Sequence, residues 1–135
     1  MGSTTINASC LCKGIQFTVT GQSKGAVLCH CSNCKSFHGS AFAHNYRMMK
    51  TKVEYKQGKE LLRSYKDDAT KSGKVLERFF CSKCGSSLMN VPEAVPGLVV
   101  VCAGAIEGDV PTKPKFELFE EDRRAWMNKV NDAKL

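Results

Sequence analysis

Eight cysteines in 135 residues are the feature of this chain with the most chemistry in it. They fall at Cys10, Cys12, Cys29, Cys31, Cys34, Cys81, Cys84 and Cys102, which reads as C-x-C, C-x-C-x2-C, C-x2-C and a single residue apart from the rest. Cysteines separated by one or two residues strain a disulfide, whereas two thiolates at that spacing reach one tetrahedral cation. The seven clustered cysteines therefore read as zinc ligands. A closed structural zinc site takes four protein ligands, so seven fill one site and leave a second with three. Cys10 and Cys12 with Cys81 and Cys84 form the closed set and tie the start of the chain to its middle. Cys29, Cys31 and Cys34 form the open set, on about six residues of loop, with a coordination position for water or substrate. A second partition recruits Cys102 as an eighth ligand, closes both sites and makes the protein a scaffold. Cys102 itself lies in the apolar run 99–103, where a free cysteine is ordinarily core.

Three thiolates donate much electron density, so zinc held by them is a poorer Lewis acid than zinc held by three histidines and is less suited to making hydroxide from water. A soft fourth ligand suits it better. An incoming thiol would lose its proton on binding and could then add to a carbonyl, or leave from a thiohemiacetal in the reverse direction. The proton needs a carrier, and His30, His38 and His44 are the only histidines, all close in sequence to the triplet. His30 is flanked by two proposed ligands, which turns its side chain away from the metal. Lys35, directly after Cys34, could screen thiolate charge or hold a substrate carboxylate, with Tyr46 and Arg47 as further contacts.

The elements that must carry these residues are mostly β. Ile15, Phe17 and Val19 alternate with polar residues, the period of a half-buried strand, followed by a turn over 21–25 and a short strand at 26–28 that ends at the triplet. Residues 41–49, 53–55, 61–65, 75–80, 88–91 and 98–103 are further strand segments, punctuated by Gly, Lys, Asp and Ser. Residues 120–130, with Trp126 and Val130 four apart, predict a short C-terminal helix. No repeat or low-complexity linker divides the chain, so 1–135 reads as one domain. The glycine of Cys84-Gly85 allows a tight turn that aims amide N–H groups at the sulfurs.

Composition narrows the function classes. No stretch approaches the roughly 18 apolar residues of a membrane span. The first nine residues lack a basic-then-apolar leader, so cytosol is the expected compartment. The ending Ala133-Lys134-Leu135 is a relaxed form of the peroxisomal signal and makes the peroxisome the alternative. The net charge of +7 is lopsided, with 13 basic against 5 acidic side chains in residues 1–80. Such a surface attracts nucleic acid or a small anion, but no recognition helix or aromatic RNA-binding motif accompanies it, and nucleic acid is not the expected partner. A non-catalytic, zinc-stabilised module for nucleic acid or chromatin stays as the alternative function, and a homodimer stays open.

The stretches Ser9-Cys10-Leu11-Cys12-Lys13-Gly14-Ile15-Gln16-Phe17, Cys29-His30-Cys31-Ser32-Asn33-Cys34-Lys35, Gly39-Ser40-Ala41-Phe42 and Phe80-Cys81-Ser82-Lys83-Cys84-Gly85-Ser86 resemble the glutathione-dependent formaldehyde-activating enzyme family, which includes the domain of centromere protein V. Gly58, the segment Ala103-Gly104-Ala105-Ile106-Glu107, Pro114 and Trp126 extend the resemblance over about residues 8–127. It implies a β-rich fold of small stacked antiparallel sheets around two zinc ions, structural at Cys10, Cys12, Cys81 and Cys84 and substrate-facing at Cys29, Cys31 and Cys34. It further implies a carbon–sulfur lyase acting on a glutathione or other thiol adduct of an aldehyde, with glutathione as co-substrate. Members of the centromere branch use the fold for chromatin association.

Overall fold

Ile6 and Ala8 point inward between the outward Thr5 and Asn7, a period of two that makes the first strand, β1 (Thr4–Ser9). The computed structural model, which describes residues 2–130, continues through β2 (Gln16–Cys29), α1 (Ser32–His38), β3 (Ala43–Gln57), β4 (Leu62–Asp67), β5 (Leu76–Cys81), β6 (Ser87–Pro92), β7 (Val99–Cys102) and β8 (Pro114–Leu118). The ending 133–135 lies outside the described residues. The mostly β reading holds. The strands join in one hydrogen-bonded path, β1-β2-β3-β7-β6-β5-β4, antiparallel throughout, with β8 added parallel to β2. No helix among the described residues is long and apolar enough to cross a membrane.

The strand expected at 26–28 and the turn expected over 21–25 are parts of the single strand β2. Its register with β3 shifts between Thr20 and Gln22 and again between Ser23 and Gly25, so the glycines bend the strand and do not end it. Gly21 lies so close to the Met49 carbonyl that a Cβ would collide with it, and Gly25 adopts φ 82°. In the same way, 41–49 and 53–55 are one strand, β3, carried through by Lys50 at φ 52°. The long β2 has two partners on one edge. β1 covers residues 16–21 and β8 covers 26–29, which brings β8 beside the end of β2 that carries Cys29.

The triplet does not lie wholly on a loop. Cys29 ends β2, Cys31 is the N-cap of α1, and Cys34 lies inside that helix. The Cys31 sulfur accepts the Cys34 amide N–H, the bond a Ser or Asp would ordinarily accept at this position, and Gly39 closes the helix at φ 61°. The C-terminal helix expected over 120–130 is absent among the described residues. A single 3-10 turn at Glu120–Asp122 stands in its place. Trp126 is 76% exposed, so the aromatic half of the apolar pair meant to anchor such a helix is not buried.

Ile6, Phe17, Val19, Tyr46, Met48, Leu88, Met89 and Val101 fill the main core, and a smaller cluster gathers Cys29, Cys31 and Cys34 with Ala43. Gly58, at φ 83°, is the point where two turns meet. A Cβ there would overlap the carbonyl of Gly14, in the turn that carries Cys12. Gly58→Ala combines an unfavourable φ with a backbone clash, and we expect it to cost about 2 kcal/mol or more in chemical denaturation. An unchanged midpoint would mean that the two turns are free to separate.

Candidate metal centres

Cys10 and Cys12 sit in the turn between β1 and β2, whereas Cys81 ends β5 and Cys84 occupies the turn to β6. β1 is one end of the strand path and β5 is next to the other, so these four residues join its remote ends. Their sulfurs lie within 4.8 Å of one another, with Cys10 to Cys12 at 3.5 Å and Cys12 to Cys81 at 3.9 Å. A tetrahedral zinc with bonds near 2.3 Å sets its sulfurs about 3.8 Å apart, so the spacing fits the ion. Backbone amides from Ile15 to Cys10 (3.2 Å), Gly14 to Cys12 (3.4 Å) and Lys83 to Cys81 (3.4 Å) point at the sulfurs. The Ser86 hydroxyl at 3.2 Å is the largest cause holding the Cys84 thiol down to about 5, against an ordinary value near 9. Gly85, at φ 77°, turns the chain as its sequence suggests, but its own amide bonds the Cys81 carbonyl, and the sulfur-directed amides are those of Lys83 and Cys84.

Cys29, Cys31 and Cys34 likewise bring their sulfurs within 4.8 Å of one another, with Cys29 to Cys31 at 3.6 Å. Among the described residues no fourth His, Cys, Asp or Glu completes the group, and Cys102 is not part of it. All three are buried. Hydrogen bonds from the neighbouring thiols hold Cys31 down to about 2, and the same bonds, with burial, push Cys29 up. Crowding and burial oppose ionising all three thiols together, and a cation bound among them would favour it.

The surroundings of the triplet are ionic. Arg78, on β5, sets both terminal guanidinium nitrogens 3.9 Å from the Cys34 sulfur. Its Nε donates to Asp67 Oδ2 at 2.8 Å and its Nη1 to Asn90 Oδ1 at 3.2 Å. On the other flank, His30 Nε2 lies 2.6 Å from Glu117 Oε1, with both side chains wholly buried. Arg78, Asp67 and Glu117 were not legible as site residues. The adjacent Phe79 and Phe80 break the alternation that would have placed Arg78 inward, and Glu117 reads as one more charge in a mixed stretch.

Three clefts border α1, of about 650, 580 and 350 Å³, and Ser36 lines them all. His38 and Cys102 line the largest, with Cys102 Sγ 3.8 Å from His38 Nε2. Burial first, and then the Arg78 charge, hold the His38 imidazole down to about 4, while burial pushes the Cys102 thiol up to about 12. Lys35 lines the second cleft, its ammonium donating to the Asp122 carbonyl at 2.8 Å. His44 is half-buried, and burial lowers its pKa. Tyr46 is core, its hydroxyl 2.6 Å from Ser23 Oγ. Arg47 donates to the Lys24 carbonyl and stacks on Phe116 at 5.0 Å. Neither Tyr46 nor Arg47 lines any of the three clefts.

The family model for glutathione-dependent formaldehyde-activating enzyme matches residues 5–122. The chain belongs to that family. A relative from Halomonas elongata, named "Putative glutathione-dependent formaldehyde-activating enzyme", is 29% identical over 127 residues, covering 90% of this chain and 79% of its own length. A crystal structure of a Rhodobacter sphaeroides protein shares the fold, with a TM-score of 0.58 at 20% identity over 78% of this chain and 92% of that one. For this family member the two sulfur groups predict different outcomes on mutation. A structural role for the four-sulfur group predicts that Cys81→Ser loses both metal and fold, because a metal bound there would contribute folding energy directly. Cys31→Ser should lose only the metal at its own group. Metal analysis by mass spectrometry beside circular dichroism checks both, and equal unfolding by the two variants would contradict the assignment.

Proposed function

We propose that the chain makes and breaks a carbon–sulfur bond between a thiol, glutathione in the first instance, and an aldehyde such as formaldehyde. On this reading Cys29, Cys31 and Cys34 hold a zinc ion at the reacting end, and Cys10, Cys12, Cys81 and Cys84 hold a second for stability. The observation that carries the reading is that the triplet gathers three sulfurs at zinc spacing with no fourth His, Cys, Asp or Glu among the described residues, so the protein leaves a ligand position to an outside molecule. When bound there, zinc supplies a soft acceptor that favours the thiolate form of an incoming thiol.

The chain's own residues account for the rest. Thiol and aldehyde combine so that sulfur bonds to the carbonyl carbon, the carbonyl electron pair moves to oxygen, and oxygen takes up the proton the thiol gave away. Lyase action is the reverse. His38 is the proton carrier the geometry favours, because it lines the largest of the three clefts described beside α1. His30 is wholly buried against Glu117, which suits it to fixing the Cys29-to-Cys31 segment. Lys35 lines the neighbouring cleft, where its ammonium would meet a carboxylate of a glutathione-like thiol.

Exchange spectroscopy by NMR, which follows glutathione and formaldehyde interconverting with their adduct, tests this directly. The zinc-loaded chain should accelerate the exchange, and Cys31→Ser should return it to the rate in buffer. His38→Gln should slow it by about a hundredfold. An unaccelerated rate with the zinc-loaded chain would remove the reading.

A further inference from the structure

The reach of Arg78 toward the triplet has a use beyond holding strands together. Its side chain is 3% exposed and makes contacts on four sides: Asp67, Asn90, Cys34, and the face of the Phe37 ring at 5.4 Å. Asp67 is itself fixed from within the metal-binding helix. Asn33, the residue before Cys34, donates to both Asp67 oxygens at 3.0 Å, and the Ala69 amide donates at 3.2 Å. The carboxylate therefore cannot turn away, and it holds the guanidinium with its terminal nitrogens against the Cys34 sulfur. Asp67 and Arg78 cancel as a pair, but the positive end faces the sulfurs.

Zinc(II) with three thiolates carries a net charge of −1, and a fourth thiolate makes it −2. Concentrating that charge where Cys29, Cys31 and Cys34 are each about 5% exposed or less is costly unless an opposite charge lies close by. A neutral fourth ligand adds no such demand. Arg78 is the cation in contact with the triplet. We propose that Arg78, aimed by Asp67 and Asn33, is the positioning residue that makes the three-cysteine centre accept an anionic sulfur ligand in preference to a neutral one. This rests on the open-site reading given above. On uptake the thiol's S–H proton passes to the buffer and its sulfur joins the centre as thiolate; Arg78 changes no protonation state.

The test uses the full chain loaded with zinc, and two probes read by calorimetry per zinc-loaded triplet: 2-mercaptoethanol, which binds as an anion and carries no carboxylate of its own, and imidazole, which binds neutral. Arg78→Met alone leaves Asp67 buried without its partner and can fail to fold, so the informative variant is the charge-neutral pair Arg78→Met with Asp67→Asn. Its dissociation constant for 2-mercaptoethanol should rise about three- to tenfold, the scale of a unit positive charge several ångströms away partly offset by the carboxylate lying behind it. Its constant for imidazole should stay within about twofold, and Arg78→Lys should recover most of the thiol affinity. Equal weakening toward both probes would make Arg78 merely structural, and an unchanged thiol constant would equally overturn the assignment. A wild-type chain that takes up no thiol at all would instead remove the proposed function, and this inference with it.

Discussion

Sulfur atoms crowded inside a protein set the constraint on which this structure depends. Within each group they stand 3.5 to 3.9 Å apart where neighbours are in contact, far beyond a sulfur–sulfur bond yet too close for every thiol to ionise unaided. Ionising them together would take positive charge, from a cation in the middle and from dipoles or ions around it. The fold answers differently at its two sites. Around Cys10, Cys12, Cys81 and Cys84 the partners are mainly backbone amides in two tight turns, uncharged and fixed by the path of the chain. Around Cys29, Cys31 and Cys34 one backbone amide, that of Cys34, serves Cys31, and a full charge, the Arg78 guanidinium borrowed from a strand far away in sequence, reaches Cys34.

That difference follows from topology. The four-sulfur group lies between two hairpin turns, where short loops present N–H groups with no partner in a strand, and it draws together ends of the strand path that no hydrogen-bonded ladder connects. The three-sulfur group sits where β2 gives way to α1, a junction that β3 covers on one side and β8 on the other. Only β8 runs parallel to β2, and it delivers Glu117 to the histidine between two of the cysteines. Arg123 adds its guanidinium at 3.4 Å from the same carboxylate. A buried histidine–carboxylate contact of 2.6 Å leaves the Cys29-to-Cys31 segment little freedom, which keeps its two sulfurs in place.

What the amino-acid order revealed, and what it hid, divides along the same line. Cysteine spacing is local, so both groups could be named from the chain alone. Strand periodicity was legible wherever one face is buried and the other wet, as at Ile15, Phe17 and Val19. The glycines at 21 and 25 misled because the same residue that permits a turn also permits a bulge, and only the neighbouring strand decides between them. The helix expected around Trp126 misled for a tertiary reason, since an apolar pair at helical spacing needs a partner surface and Trp126 is not buried. Arg78, Asp67 and Glu117 were hidden because each acts across 30 or more residues of sequence, Arg78 on Cys34 at a separation of 44 and His30 on Glu117 at 87. Charged residues in strands usually face solvent, and nothing in the local pattern marked these as exceptions.

The same separation explains why the framework and the chemistry can vary independently in such a fold. The spacing of the cysteines fits metal geometry, and backbone approach dictates Gly58. The rims of the clefts around α1 answer to neither. Ser36, Phe37, His38 and Gly39 lie on or just after the last turn of the helix, next to a donor in sequence but outside the coordination group. Exchanging Ser36 or His38 would reshape the clefts while leaving the sulfur contacts in place, whereas Gly39 closes the helix at φ 61° and Phe37 lies against Arg78. Arg78 belongs to the other category. It touches a sulfur, a carboxylate fixed by the helix and an amide on β6, so it is bound to the framework while its charge reaches the reacting end. A residue so placed ties the electrostatics of the three-sulfur group to the packing of the sheet, and changes to the sheet at β4, β5 or β6 are felt at Cys34 even though none of these strands supplies the triplet with a sulfur.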